Sequence, residues 1–204
     1  MGVVRLDNFD QQGSIGTGAQ IGPFIDGRLE HTSDEDYTAG AGMLLGYNFQ
    51  SWAVEGEYVY RYRTDWDVAA PTPSIQTVTN VFSNVETHTF VVQLIRRGEL
   101  GPRWTWEAGI GAGYVKNNLE TDYIERASGP TPQLTLETDS STNDITFTAM
   151  AGVKRQWRGA WSMGLRYRYI DLGELEIGTV PGRNARLTAE HAAHEVQFQI
   201  TRTL

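Results

Sequence analysis

Apolar and polar side chains alternate with a period of two along most of this chain. In the stretch Trp161 to Tyr169, the odd positions Trp161, Met163, Leu165, Tyr167 and Tyr169 are large and apolar or aromatic, whereas Ser162, Gly164, Arg166 and Arg168 are small or charged. Such a period belongs to a strand with two unlike faces, not to a helix. Segments 52–63, 104–114, 145–153 and 196–200 repeat it, and weaker copies occupy 14–28, 38–49 and 85–96, which together predict eight strands. The best competing helix is Ala185 to Glu195, rich in Ala and Glu. We read it as a loop entering the last strand, because strict alternation begins directly after it.

The connections predicted between these strands alternate in length. Gln50-Ser51, residues 97–102 and residues 158–160 are short, whereas 29–37, 64–84, 118–143 and 172–190 are long. Prolines 71, 73, 130, 132 and 181 fall in the long links, where a missing backbone donor is tolerated. A meander with its short turns at one end follows. With no composition break after residue 14, residues 14–204 read as one all-β barrel domain behind an N-terminal extension, 1–13.

An eight-stranded antiparallel meander closes either as a lipocalin-type barrel, apolar inside, or as a transmembrane barrel, apolar outside, and the contents of the two faces choose between them. The polar face carries Glu55, Glu57, Arg61, Arg63, Glu107, Lys154, Arg166, Arg168 and Glu195, together with Gln93, Gln197 and Gln199. Both charge signs are present, so ions enclosed in a narrow lumen can pair, offsetting the several kcal/mol that burial of each costs. Glycines 40, 42, 46, 109, 111, 113, 152 and 164 share that face and leave room for long side chains. On the other face Trp52, Trp104, Trp106, Trp157 and Trp161 crowd the short-turn end, and Tyr60, Tyr62, Tyr114 and Tyr169 lie toward the long links. Two aromatic girdles flanking an apolar band favour the bilayer.

Composition narrows the choice further. The longest apolar run, Ala39 to Tyr47, is too short for a spanning helix, and the absence of cysteine excludes a disulfide scaffold. Seventeen basic against twenty-five acidic residues, a formal charge of −8, speaks against nucleic-acid binding. Residues 1–6 lack the apolar core of a signal peptide, which for an exported protein implies that a leader has been removed.

Gly42 to Phe49, Val54 to Tyr58, Gly109 to Tyr114, Leu165 to Gly173 with its Tyr-x-Tyr-x-Asp-Leu-Gly pattern, and His194 to Phe198 resemble the small outer-membrane barrels of the opacity/OmpA type. The resemblance implies a periplasmic N-terminus, short periplasmic turns, long outward loops and a bacterial outer-membrane location. Members usually end on an aromatic residue, whereas this chain ends on Leu204 with Arg202 on the same face, implying a weaker assembly signal or a trimmed chain.

Candidate chemistry is sparse. The four histidines are His31, His88, His191 and His194. His191, His194 and Glu195 cluster in sequence, but strand spacing sends His194 and Glu195 to opposite faces and no serine is marked out as their nucleophilic partner. A third ligand for a metal beside the two histidines is missing, and the glycine-x-glycine runs open no helix that would cradle phosphate. Acidic residues concentrate in the first long link (Glu30, Asp34, Glu35, Asp36) and around the third (Glu120, Asp122, Glu125, Glu137, Asp139, Asp144), which reads either as a solvated surface or as divalent-cation ligands beside lipopolysaccharide phosphates. The expectation is a monomeric outer-membrane barrel with a structural or surface-interacting role in adhesion or envelope integrity, without catalysis, cofactor or metal. Its expected partners are lipopolysaccharide and an extracellular partner met by the loops. A narrow pore and a lipid-A-modifying enzyme are the alternatives.

Overall fold

A computed structural model describes residues 2–17, 30–31, 35–72, 77–127, 134–177 and 183–204. Its regular elements are strands: β1 Gly2–Thr17, β2 Glu35–Phe49, β3 Trp52–Thr72, β4 Thr77–Gly101, β5 Trp104–Ala127, β6 Leu134–Arg158, β7 Trp161–Glu176 and β8 Arg183–Arg202, plus a two-residue bridge of Glu30–His31 against β3. The seven strands β2–β8 form an up-and-down antiparallel sheet, each paired with the next. The short turns are tight because the backbone allows it: Gln50 and Gly159 both adopt a φ of 55°, a left-handed conformation that reverses the chain within two residues.

The long connections are mostly not loops. β3 and β4 stay paired out to Thr72 opposite Thr77, and β5 and β6 out to Glu125 opposite Leu134, so residues 64–72, 77–84, 118–127 and 134–143 extend the hairpins. The segment 185–195 is likewise strand within β8, neither helix nor loop. What hid these extensions is an inversion of polarity along each strand. On β4 the outward positions change from Leu94, Val92 and Phe90 to His88, Glu86 and Asn84, while Val91, Val85 and Val81 point in and are buried. On β5 they change from Ile110 and Tyr114 to Lys116, Glu120 and Asp122, while Val115, Leu119 and Tyr123 are buried. The inward side chains of the extensions pack into an aliphatic and aromatic core of Trp66, Val81, Val85, Leu119, Tyr123 and Leu175 with Ile177 and Ala189. Below it Val91, Val115, Ile170, Leu172 and Ala193 form a second cluster, and charged residues occupy the interior toward the short turns.

The N-terminus also departs from expectation. Residues 2–13, expected as an extension, belong to β1, which pairs with β8 from Gly2 opposite Gln197 to Thr17 opposite Arg183 and with β2 from Gly2 to Asp7. The physical reason is that the edges of β2 and β8 carry rows of backbone donors and acceptors that a strand satisfies. A register shift between Phe9 and Gln12 breaks the alternation that would have announced it. Residues 18–28 of the expected first strand lie outside the described residues, as do Asp34 and prolines 73, 130, 132 and 181, whereas Pro71 sits near the β3–β4 tip, opposite Val78.

Candidate functional site

The most distinctive constellation is the buried charge network toward the short turns. Glycines make it possible: a Cβ at Gly46 would meet Glu55 Cγ at 2.7 Å, at Gly111 Gln93 Cγ at 2.7 Å, and at Gly164 Lys154 Cγ at 2.8 Å. Long side chains lie across those gaps. From β7, Arg166 donates to Glu55 on β3 at 2.9 Å and, through Nε and Nη2, to Glu107 on β5 at 3.0 and 2.9 Å. Arg168 donates to Glu57 on β3 at 2.7 Å and to Glu195 on β8 at 2.8 Å. Arg61 meets the other oxygen of Glu195 at 2.6 Å and Thr89 at 3.0 Å. Lys154 lies 2.8 Å from Glu107 and 3.7 Å from Glu55. Gln93 and Gln197 complete the carboxylates of Glu57 and Glu195.

These bonds reach from β3 to β7 and β8, so the sheet is curled tightly enough for side chains to bridge its interior. Each carboxylate faces two or more cations, which is the condition under which buried ions are sustained. Eight of the nine charged residues read from the sequence meet here: Glu55, Glu57, Arg61, Glu107, Lys154, Arg166, Arg168 and Glu195 are buried. Arg63 does not. Its side chain is 49% exposed and pairs on the outer surface with Glu86 at 3.0 Å and Glu120 at 3.1 Å. A bulge between Arg61 and Thr64 shifts the alternation by one residue, turning Thr64 and Trp66 inward and Arg63 out. Arg97, assigned from the sequence only to the turn region, enters the network from its edge, bonding Glu55, Asn48 and, at 3.4 Å, Glu107. Its position continues the inward phase of Val91, Gln93 and Ile95, a signal hidden by reading the strand as ending at residue 96.

The aromatic residues lie on the outward face in two kinds of arrangement. At the short-turn end Trp52, Trp104 and Trp161 open β3, β5 and β7, and each sits opposite an arginine of the neighbouring strand, Arg96, Arg155 and Arg202. The guanidiniums lie 5.5, 5.5 and 5.8 Å from the ring centroids, within cation–π range. Trp106 covers Gly98, its cross-strand partner, and Trp157 is exposed. At the far end of the apolar band, Tyr58 Oη lies 2.8 Å from His88 Nδ1 with the Tyr60 ring beside it, and Tyr167 Oη lies 2.5 Å from His194 Nδ1 with the Tyr169 ring beside it. Tyr62 and Tyr114 are exposed near the same level. The band between Trp104 and Tyr114 is about ten residues long, the length of a transmembrane strand.

The Asp-Leu-Gly motif has a structural role. A register shift falls between Asp171 and Glu174, Gly173 takes a φ of 74°, and its amide donates to Asp171 Oδ1 at 3.0 Å. The bulge keeps Leu172 and Leu175 both inside. His191 is buried and His194 faces out, so the two histidines do not converge, and among the described residues no three metal-ligating side chains do. The acids Glu120 and Asp122 stand opposite Asp139 and Glu137 on exposed strand extensions rather than in loops.

A polar, ion-paired interior and an apolar, aromatic-flanked exterior are the two faces expected of a strand wall that spans a membrane. Residues 5–192 match the outer membrane protein beta-barrel domain. The chain belongs to that family. The barrel is thereby an outer-membrane protein, and its apolar band faces lipid. Among solved structures it is similar to Neisserial surface protein A (NspA), at 12% identity over 97% of each chain with a TM-score of 0.41. It is also similar to Ail, the attachment invasion locus protein of Yersinia pestis, at 11% identity over 96% of this barrel and 97% of that chain with a TM-score of 0.36. Ail in complex with the heparin analogue sucrose octasulfate gives 11% identity, 96% and 99% coverage and a TM-score of 0.37. No curated protein is significantly similar in sequence.

Proposed function

We propose that the barrel has eight strands closed through β1 and serves as a non-catalytic, monomeric surface protein. Its hairpins stand clear of the outer leaflet as a preformed contact surface for an extracellular partner, and lipopolysaccharide surrounds its base. The observation that carries this reading is the apolar core of Trp66, Val81, Val85, Leu119, Tyr123 and Leu175 above the membrane band. A segment that only linked spanning strands has no need of a buried core, whereas a stiff projecting surface does. The double pairing of β1 supports closure. The arginine–carboxylate bridges that cross the interior from β3 to β7 and β8 oppose solute passage.

The test joins Arg61 directly to Thr87, cross-strand partners in β3 and β4, which removes the outer part of one hairpin. On cells, this shortened barrel still inserts, as read by a heat-induced shift in gel mobility, but loses attachment to host-cell or matrix surfaces. Unchanged attachment, or a steady conductance of the full-length barrel in planar bilayers, overturns the reading.

A further inference from the structure

The outer face of the wall carries charge of one sign at its short-turn end. Arg96, Arg155 and Arg202 stand there opposite Trp52, Trp104 and Trp161, and Arg158 meets Trp161 from its other side. With Arg103 in the turn between β4 and β5 they make five exposed arginines. Among the described residues, none of these five side chains has a hydrogen bond or an ion pair within the protein. Among the same residues Glu99 is the sole exposed carboxylate side chain at this level, because Glu55 and Glu107 turn into the buried network. The other end of the same face is unlike it: Arg63 is held by Glu86 and Glu120, and Asp122, Glu137 and Asp139 are exposed on the strand extensions.

Three of the arginines belong to the lipid-facing wall, not to the rim of turns. Arg96 is in phase with Leu94, Arg155 with Val153 and Arg202 with Ile200, all of them outward. Each guanidinium lies against an indole ring, and tryptophan rings settle where hydrocarbon ends and headgroups begin. At that depth an arginine keeps its N–H donors in a planar fork. No described side chain of the protein accepts from them, and hydrocarbon has no acceptors. Phosphate oxygens of the lipid headgroups do accept, and their geometry matches the fork in pairs. A soluble acidic protein reaches the rim of the turns but not a wall flush with lipid, so charge complementarity selects an anionic headgroup.

We propose that the three tryptophan–arginine steps are seats for the phosphates of anionic phospholipids in the periplasmic leaflet. The inference rests on the reading above, in which the long hairpins project from the outer leaflet and the short turns lie on the periplasmic side. In each seat the guanidinium forks the phosphate, and the indole ring borders the glycerol and the first carbons of the acyl chains. A net negative headgroup is favoured over a zwitterionic one, whose own cation competes for the phosphate and repels the arginine. The seat at Trp161 has a second cation, Arg158, on its other side. The steps recur at β3–β4, β5–β6 and β7–β8, so the seats are spaced around the wall and each holds its own lipid.

The test places the full chain in phosphatidylcholine vesicles that hold a small share of lipid with brominated acyl chains, either phosphatidylglycerol or phosphatidylcholine, and compares the quenching of tryptophan emission. Brominated phosphatidylglycerol is expected to be enriched beside the tryptophans about fivefold over its share of the bilayer at low salt, the effect of one basic residue at an anionic surface, and to lose that advantage as salt rises. The combined Arg96→Gln, Arg155→Gln and Arg202→Gln variant keeps every tryptophan and should bring the two lipids to parity. Arg155→Gln alone should lower the enrichment, whereas Lys116→Gln, the same change of charge at the far end of the face, leaves it unchanged. A heat-induced shift in gel mobility checks that each variant is folded. Equal quenching of the unaltered chain by the two lipids overturns the seats, and so do equal losses from Arg155→Gln and Lys116→Gln. Quenching by neither lipid strikes the barrel reading itself. Since the chain has no cysteine of its own, Ser51→Cys reports the side of the short turns: its labelling on intact cells, by a maleimide polymer too large to cross the outer membrane, overturns the assignment to the periplasmic leaflet.

Discussion

Between Gly109 and Tyr114, β5 turns glycines inward and Ile110, Ala112 and Tyr114 outward; between Val115 and Tyr123 it buries Val115, Leu119 and Tyr123 and exposes Lys116, Glu120 and Asp122. One continuous strand thus carries two opposite dress codes, and the same change occurs on β4 at His88. The cause is the medium outside. Next to lipid the apolar face turns outward, and the interior is left to ions that pair and to glycines that make room for them. Beside water the ordinary preference returns, and apolar side chains withdraw into a core. The backbone is indifferent to the change, because the sheet satisfies its hydrogen bonds in either medium.

The comparison can be broken at its charged end first. Arg166→Leu takes from Glu55 and Glu107 the most buried of the cations they share, leaving them Lys154 and Arg97, and the expected cost is about 3 kcal/mol, the low end for a buried pair broken on one side. Urea unfolding in lipid vesicles measures it, and adding Glu107→Gln should restore part of the loss. An unchanged midpoint would mean that the network is not enclosed. In the aliphatic half, Leu119→Ala should cost about 2–5 kcal/mol through the cavity it leaves. Because Leu119 lies beyond the apolar band, that loss should appear in detergent and bilayer alike; a cost confined to the bilayer contradicts a water-side core.

The outer surfaces sharpen the contrast. Leu165→Arg places a cation on the lipid face, with an expected penalty of about 2–4 kcal/mol, whereas Asn118→Arg, outward on β5 beyond Lys116, should stay within about 0.5 kcal/mol. Equal effects at the two sites would erase the boundary drawn between Tyr114 and Lys116. At the short-turn girdle, Arg202→Ala removes the guanidinium from Trp161 and should cost about 0.5–1 kcal/mol, visible as a small drop in midpoint and a shift in tryptophan emission.

Much of this was legible because a period of two needs only adjacent residues to be seen. The strands from Trp52, Trp104, Ile145, Trp161 and Val196, the short turns and the inward set from Glu55 to Glu195 all follow from it. Three features were not. The strand extensions were lost because the inside and outside exchange polarity, which makes an amphipathic strand resemble a polar loop. Arg63 was misplaced because a bulge resets the alternation without altering composition. Residues 2–13 of β1 read as an extension because their contribution lies in backbone pairing to β2 and β8, and a register shift between Phe9 and Gln12 interrupts their alternation.

By itself the sequence determined an antiparallel meander with one ionic and one greasy face, since alternation and glycine placement are local properties of the chain. Only the tertiary structure decided which cation meets which carboxylate and where the two solvents exchange along each strand. Those depend on distances across the sheet, between residues as far apart in the chain as Arg61 and Glu195.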